Sequence, residues 1–127
     1  MLKKTVVLIS PYCREYVGIR SIYFHLLSKG FDVYLIYFGK YEGFNTKYVS
    51  EKEYDILINL LKKLNPSIVA ISMLTFSFDV SADITKKIRE HMTPLIVFGG
   101  IHAIIKPEEC IRYADVVCTS LKDSIKR

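Results

Sequence analysis

Five short apolar stretches alternate with segments whose apolar residues recur every three or four positions, and that alternation limits the chain to few architectures. The stretches are Thr5-Val6-Val7-Leu8-Ile9, "FDVYLIYF" from Phe31, "SIVAISML" from Ser67, "PLIVFGG" from Pro94 and "DVVCTS" from Asp115. They are rich in β-branched residues and mostly continuous rather than alternating, the pattern of strands covered on both faces of a sheet. The segments between them supply the covering helices. Ile19, Ile22, Tyr23, Leu26 and Leu27 share one helical face, which Gly30 ends. Ser50 opens a capping box with Glu53 ahead of a stripe of Tyr54, Leu57, Ile58, Leu61 and Leu64, and Asn65-Pro66 closes it. Val80, Ile84, Ile88 and Met92 mark a third helix from Phe78 to His91. Lys40 to Val49 reads as an irregular connection, Pro107-Glu108-Glu109 as a helix start, and Leu121 to Arg127 as a final helical turn or two.

Strand and helix in regular alternation predict an α/β fold: a flavodoxin-like (Rossmann-like) open parallel five-stranded sheet with helices on both faces. The expected strand order is 2-1-3-4-5. Ligands of such sheets bind outside the carboxyl ends of the strands, where the connections after strands one and three leave to opposite faces. The candidate site loops are therefore Ser10 to Gly18, Ser72 to Phe78 and Gly99 to Lys106.

The length of 127 residues suits one domain spanning 1–127. The apolar runs fall short of the roughly 20 residues that cross a bilayer. Lys3 and Lys4 precede only a brief apolar run ending at Ser10-Pro11, without a small-residue cleavage site. A cytoplasmic location and no membrane partner are expected. The cysteines, Cys13, Cys110 and Cys118, form neither a CxxC nor a CxxxCxxC spacing. The net charge of +5 comes from lysines scattered over helices, such as Lys62, Lys63, Lys86, Lys87, Lys122 and Lys126. Solvated helix faces account for it, and no nucleic-acid partner is expected.

Several chemistries of this fold class are excluded at the loops. A phospho-acceptor domain needs an acidic pair after strand one and an aspartate ending strand three, where this chain has Ile9-Ser10-Pro11 and Ser72-Met73-Leu74. A flavin-phosphate loop would be short and rich in Ser, Thr and Gly, but "SPYCREYVG" is bulky and contains proline. Neither a GxGxxG fingerprint after strand one nor a P-loop is present. No acid, base and nucleophile converge on the loops, so the chain alone is not expected to catalyse a reaction.

What the loops do contain is Ser72-x-Leu74 at the end of strand three and Gly99-Gly100 at the end of strand four. Paired glycines suit a tight turn with positive φ, and equally the close approach of a ligand to bare main chain. The spacing resembles the cobalamin-binding domain family, in which a Ser-x-Leu stretch and a later Gly-Gly line the slot for the cofactor's nucleotide tail. The resemblance is closest to the amino-terminal domains of cobalamin-dependent radical S-adenosylmethionine (radical SAM) proteins. It rests on Ser10-Pro11-Tyr12, Gly99-Gly100-Ile101-His102-Ala103, Pro107-Glu108-Glu109 and Asp115-Val116-Val117, in that order.

The resemblance implies a cobalamin-binding module whose cofactor contacts include Ser10, Pro11, Tyr12, Ser72, Leu74, Thr75, Gly99, Gly100 and His102. It further implies a catalytic radical SAM domain in cis, carrying a 4Fe-4S cluster and S-adenosylmethionine, so that this chain is expected to be a piece of a longer enzyme of methyltransferase or oxidative cyclase type. Two departures stand out. The loop after strand one lacks the Asp-x-His-x-x-Gly motif whose histidine ligates cobalt in methionine synthase and the mutases. After Val117 the family continues with Gly-Glu-Gly-Glu, whereas this chain reads Cys118-Thr119-Ser120. The alternative is a degenerate domain that docks a substrate or protein without a cofactor. Read without the resemblance, Ser72 is a strand-end cap, His102 a solvent-facing loop residue, Cys13 a free thiol, and Thr75 and Ser77 caps of the third helix.

Overall fold

The computed structural model describes residues 4–12, 17–40 and 49–119. Strands β1 (Thr5–Pro11), β2 (Asp32–Phe38), β3 (Ile68–Ser72), β4 (Leu95–Gly99) and β5 (Val116–Val117) form one parallel sheet in the order β2-β1-β3-β4-β5. Helices α1 (Val17–Ser28), α2 (Glu51–Leu64), α3 (Phe78–His91), α4 (Ile101–Ile105) and α5 (Pro107–Cys110) connect them, with a 3-10 turn at Thr75–Ser77 ahead of α3. The parallel flavodoxin-like architecture is the one the alternation predicts, and its strand order is the common one of that fold, which the sequence alone does not fix. Cys13, Arg14, most of the connection between β2 and α2, and the expected final helical turns lie outside the described residues.

Successive strand side chains point to opposite faces, so β1 serves two cores at once. Val7 and Ile9 enter the larger one with Leu57 and Leu61 of α2, Ile84 and Ile88 of α3, and Phe98 of β4. Val6 and Leu8 enter the smaller one, with Val33 and with Ile19, Ile22 and Leu26 of α1. Each such fully buried aliphatic or aromatic side chain contributes roughly 1.5–3 kcal/mol relative to exposure.

Helix α2 begins and ends where its sequence says it should. The Ser50 hydroxyl accepts a hydrogen bond from the Glu53 amide at 3.3 Å. Asn65 takes a left-handed conformation (φ 47°) and donates its N–H to the Leu61 carbonyl at 2.8 Å. Asp115 fastens β5: its carboxylate accepts from the Ile96 amide at 2.9 Å and from Arg89 of α3 at 3.2 Å. The Ile96 bond above all, and then Arg89, holds that carboxyl below the usual range.

Three local features differ from the sequence reading. First, β1 runs on to Pro11, paired with Phe38, and the Tyr12 amide donates to the Phe38 carbonyl at 2.7 Å. A proline at a strand end interrupts little, because its missing N–H lies where the ladder stops. Second, the segment after β4 is the short helix α4 rather than a loop, closed by bonds from Ile104 to Gly100 and from Lys106 to His102. Five residues rich in isoleucine are too few to show helical periodicity. Third, β3 and β4 are buried on one face only: Val69, Ile71, Ile96 and Phe98 are inaccessible, while Ile68, Ala70, Val97 and Gly99 are partly open and Leu95 is 42% exposed. Apolar side chains thus line a face that the described residues cover incompletely.

Candidate functional site

Parallel register places Ser72 opposite Gly99. The Met73 amide donates to the Gly99 carbonyl at 3.0 Å, and the His102 amide donates back to the Met73 carbonyl at 3.3 Å. The chain leaving β4 therefore folds directly over the end of β3. Gly100 makes this possible, with φ 94° and ψ −174°. A Cβ there would lie 2.6 Å from the Met73 carbonyl oxygen, 2.8 Å from the Met73 nitrogen and 3.1 Å from the Ser72 hydroxyl. What approaches Gly100 so closely is the protein's own main chain.

Gly99 is a different case. Its φ is not positive, and among the described residues a Cβ built on it would meet nothing nearer than the Cys118 Cβ at 3.9 Å, an ordinary contact. The fold does not demand glycine here. Its bare main chain borders a groove of about 200 Å³ that runs between α1 and the β3-β4-β5 half of the sheet. Ile19, Ile22 and Leu26 of α1 form one wall; Ala70, Val97 and Val116 form the floor, and Ile104 of α4 contributes at one end. Ser72 carries the one hydroxyl, amide or charged group among the described side chains that line it.

Of the residues implied by resemblance, Ser72, Gly99 and Gly100 come together at this groove. Ser10 and Pro11 are buried at the end of β1 and do not line it. Tyr12 is buried with a positive φ of 65°, and its ring needs the absent side chain of Gly39, where a Cβ would stand 2.7 Å from the Tyr12 Cε1. That ring stacks on Phe76 at 6.0 Å between centroids. Phe76 is 51% exposed, beside half-buried Leu74 and exposed Thr75. These residues lie along the carboxyl side of the sheet, away from the groove lining. Tyr12, Met73 and Ile101, which could have plugged a slot between the strand ends, do not line the groove: the first two pack in the larger core, and Ile101 is 44% exposed.

His102 is neither solvent-facing nor part of the groove lining. The ring is buried, packs on Phe78 at 4.6 Å between centroids, and lies 3.0 Å from the Glu109 carboxylate through Nε2 and 3.3 Å from the Thr75 hydroxyl through Nδ1. A carboxylate can only accept, so Nε2 carries a hydrogen and a neutral ring accepts from Thr75 at Nδ1. The side chain clasps the turn after β3 to α5. Ser77 is likewise occupied locally, its hydroxyl bonding both the amide and the carbonyl of Leu74.

Sequence reasoning missed the α1 wall and Val97, Val116 and Cys118, all of which read as ordinary core. The available signal was the strand alternation: among the described helices, α1 packs its apolar residues on the Val6 and Leu8 side of the sheet, while α2 and α3 pack on the other. Burial, and secondarily Glu109 and Glu108, pushes the Cys110 thiol up to about 11, which makes it an inert core residue. Among the described residues no group of three His, Cys, Asp or Glu side chains is placed to hold a metal ion, and no helix is long and apolar enough to cross a membrane.

A search of curated proteins finds no match to the chain. Among protein families, the B12 binding domain matches residues 3–124.

Proposed function

Since the chain belongs to the B12-binding domain family, we propose that it holds cobalamin, with the nucleotide tail in the groove beside Gly99 and the corrin over the carboxyl edge of the sheet. One observation carries this reading. Gly99 is a glycine that the fold does not need, and it leaves a cradle which a side chain would fill, next to the Ser72 hydroxyl and otherwise apolar walls. Those residues fit a flat base with a sugar-phosphate linker. Ser72 would hydrogen-bond the base, the α1 and sheet residues would keep water from it, and the main chain at Gly99 would pass close to the linker.

Bound cobalamin would supply cobalt-centred chemistry to a catalytic domain; the residues of this chain bind and orient it. In this reading that domain is of the radical SAM type, joined in cis within a longer protein and carrying the 4Fe-4S cluster and S-adenosylmethionine. A second reading, a docking module without cofactor, draws on the exposed isoleucines Ile101, Ile104, Ile105 and Ile111.

Retention of corrin absorbance separates the two. The purified chain is mixed with hydroxocobalamin, free cofactor is removed, and the spectrum of the protein fraction is read. The wild type should retain the corrin, and Gly99→Val should lose it with an unchanged far-UV circular dichroism spectrum. Absence of retention by the wild type at protein concentrations on the order of 10 µM would count against cobalamin and for the docking module.

A further inference from the structure

We infer that the outer edge of β2 pairs with the same edge of a second copy of this chain, joining two sheets into one across a two-fold axis at Leu35.

The two edges of the sheet are unlike. The β5 edge, Val116–Val117, is too short to template another strand. The β2 edge runs over Asp32–Phe38 and from Val33 onward reads VYLIYF, without the lysine, proline, glycine or charge that blunts an edge. Along a strand, the main-chain groups of alternate residues point to opposite sides in the plane of the sheet. The Asp32 amide donates to the Lys4 carbonyl and the Phe38 carbonyl accepts from Tyr12, so the even-numbered residues face β1. The N–H and C=O groups of Val33, Leu35 and Tyr37 therefore face outward, and no described strand pairs with them.

The occupant that fits is another copy in antiparallel orientation. With the axis at Leu35, Val33 of each copy faces the partner's Tyr37 and the two Leu35 residues face each other, so every outward group enters a hydrogen-bonded pair. Charge agrees with that direction. Asp32, the acidic start of each strand, comes beside the partner's strand end at Phe38 and Lys40, whereas a parallel neighbour would set Asp32 against Asp32.

The side chains around this edge suit the same partner. Arg20 of α1 donates to the Tyr37 hydroxyl at 3.2 Å, which puts the Arg20, Phe24 and Leu27 stripe of that helix on its β2 side, away from its groove-lining residues. Phe24 is 64% exposed and Leu27 47%, and Tyr34 is exposed on the opposite face of the sheet. Helix α1 packs over β1 and β2. With paired strands about 4.8 Å apart, the two copies of α1 come to lie about 10 Å apart, which is helix-packing distance, with their Phe24 and Leu27 side chains between them. On the other face each Tyr34 lies across from the partner's Ile36. The groove opens toward β3, β4 and β5, at the far side of α1, and pairing leaves it clear.

Size-exclusion chromatography with light scattering, run on the wild-type chain at about 100 µM, should give twice the 14.7 kDa chain mass. Phe24→Lys with Tyr34→Lys, which sets like charges at exposed positions on both faces of the junction, should give the single chain mass with an unchanged far-UV circular dichroism spectrum. Amide hydrogen exchange by NMR then identifies the edge. In the wild type, Val33, Leu35 and Tyr37 should exchange about tenfold or more slowly than in the double variant, while Tyr34, Ile36 and Phe38, bonded to β1, stay protected in both. A monomer or a higher oligomer of the wild type at this concentration would overturn the proposal, and protection of the outward amides in a monomer would show that the chain's own residues cover the edge. A dimer whose outward amides exchange freely would place the interface elsewhere and overturn it too, as would a folded double variant that stays dimeric. Should the double variant fail to fold, the mass of the wild type and the protection of its odd-numbered amides decide the matter by themselves.

Discussion

Gly100→Ala and Gly99→Ala are neighbouring and chemically identical changes, yet they are expected to move stability in opposite directions. Gly100 occupies φ 94°, ψ −174°, a region open essentially to glycine alone; placing alanine there costs about 1–3 kcal/mol. Its Cβ would also stand 2.6 and 2.8 Å from the Met73 main chain. Neither atom belongs to a flexible side-chain tip that can swing away, so the ends of β3 and β4 must separate, at a further cost of about 1–3 kcal/mol. The sum, roughly 2–6 kcal/mol, is a large part of the total stability of about 5–15 kcal/mol that a domain of this kind commands. At Gly99 the added Cβ meets, among the described residues, only Cys118 at 3.9 Å. Replacing glycine within a strand then returns roughly 0.5–1 kcal/mol.

Urea denaturation of the three proteins, followed by far-UV circular dichroism, measures both shifts on one scale. Gly100→Ala should have a sharply lowered midpoint and Gly99→Ala one equal to or above wild type. Corrin retention should run the other way for Gly99→Ala, which is stable but has a partly filled groove. A Gly100→Ala protein within about 0.5 kcal/mol of wild type, or a Gly99→Ala protein less stable than Gly100→Ala, would refute the separation of a structural glycine from a groove-forming one.

Two further predictions concern buried polar side chains. His102→Ala removes the links to Thr75 and Glu109 and empties a buried site, so stability should fall by about 2–4 kcal/mol; corrin retained per folded molecule should not change, and a loss in still-folded protein would place His102 at the cofactor. Tyr54 is pushed up to about 12, first by burial and then by the charge of Asp83. The unfolded phenol ionises near pH 10, so the preference of the folded state for the neutral ring contributes fully below that pH. It is lost as the pH rises from about 10 to 12, by on the order of 2 kcal/mol. Denaturation midpoints at a series of alkaline pH values should show a steeper decline for wild type than for Tyr54→Phe; parallel declines would contradict the assignment.

Much of the fold is legible in the sequence. β-branched runs at Thr5 to Ile9, Ile68 to Ser72 and Leu95 to Phe98, separated by helices with three- to four-residue periodicity, leave a parallel sheet as the way to bury both. Local signals of that kind act over a few residues, which is why Ser50 and Asn65 also bound α2 as their chemistry dictates. Helix α4 was not legible, because five residues hold no period, and its start depends on Gly100 folding over the end of β3.

The residues of the candidate site divide along the same line. That Ser72, Gly99 and Gly100 matter follows from their residue types at strand ends, and the sequence alone determined that they lie on one edge of one sheet. Only the tertiary structure decided what each does, since the reasons are contacts between segments distant in the chain. Met73 stands against Gly100, the Cys118 Cβ at an ordinary contact distance against Gly99, and Thr75 with Glu109 against His102. A residue's conformational freedom is written in its own side chain, but the space it must leave or fill is set by neighbours that only folding brings together.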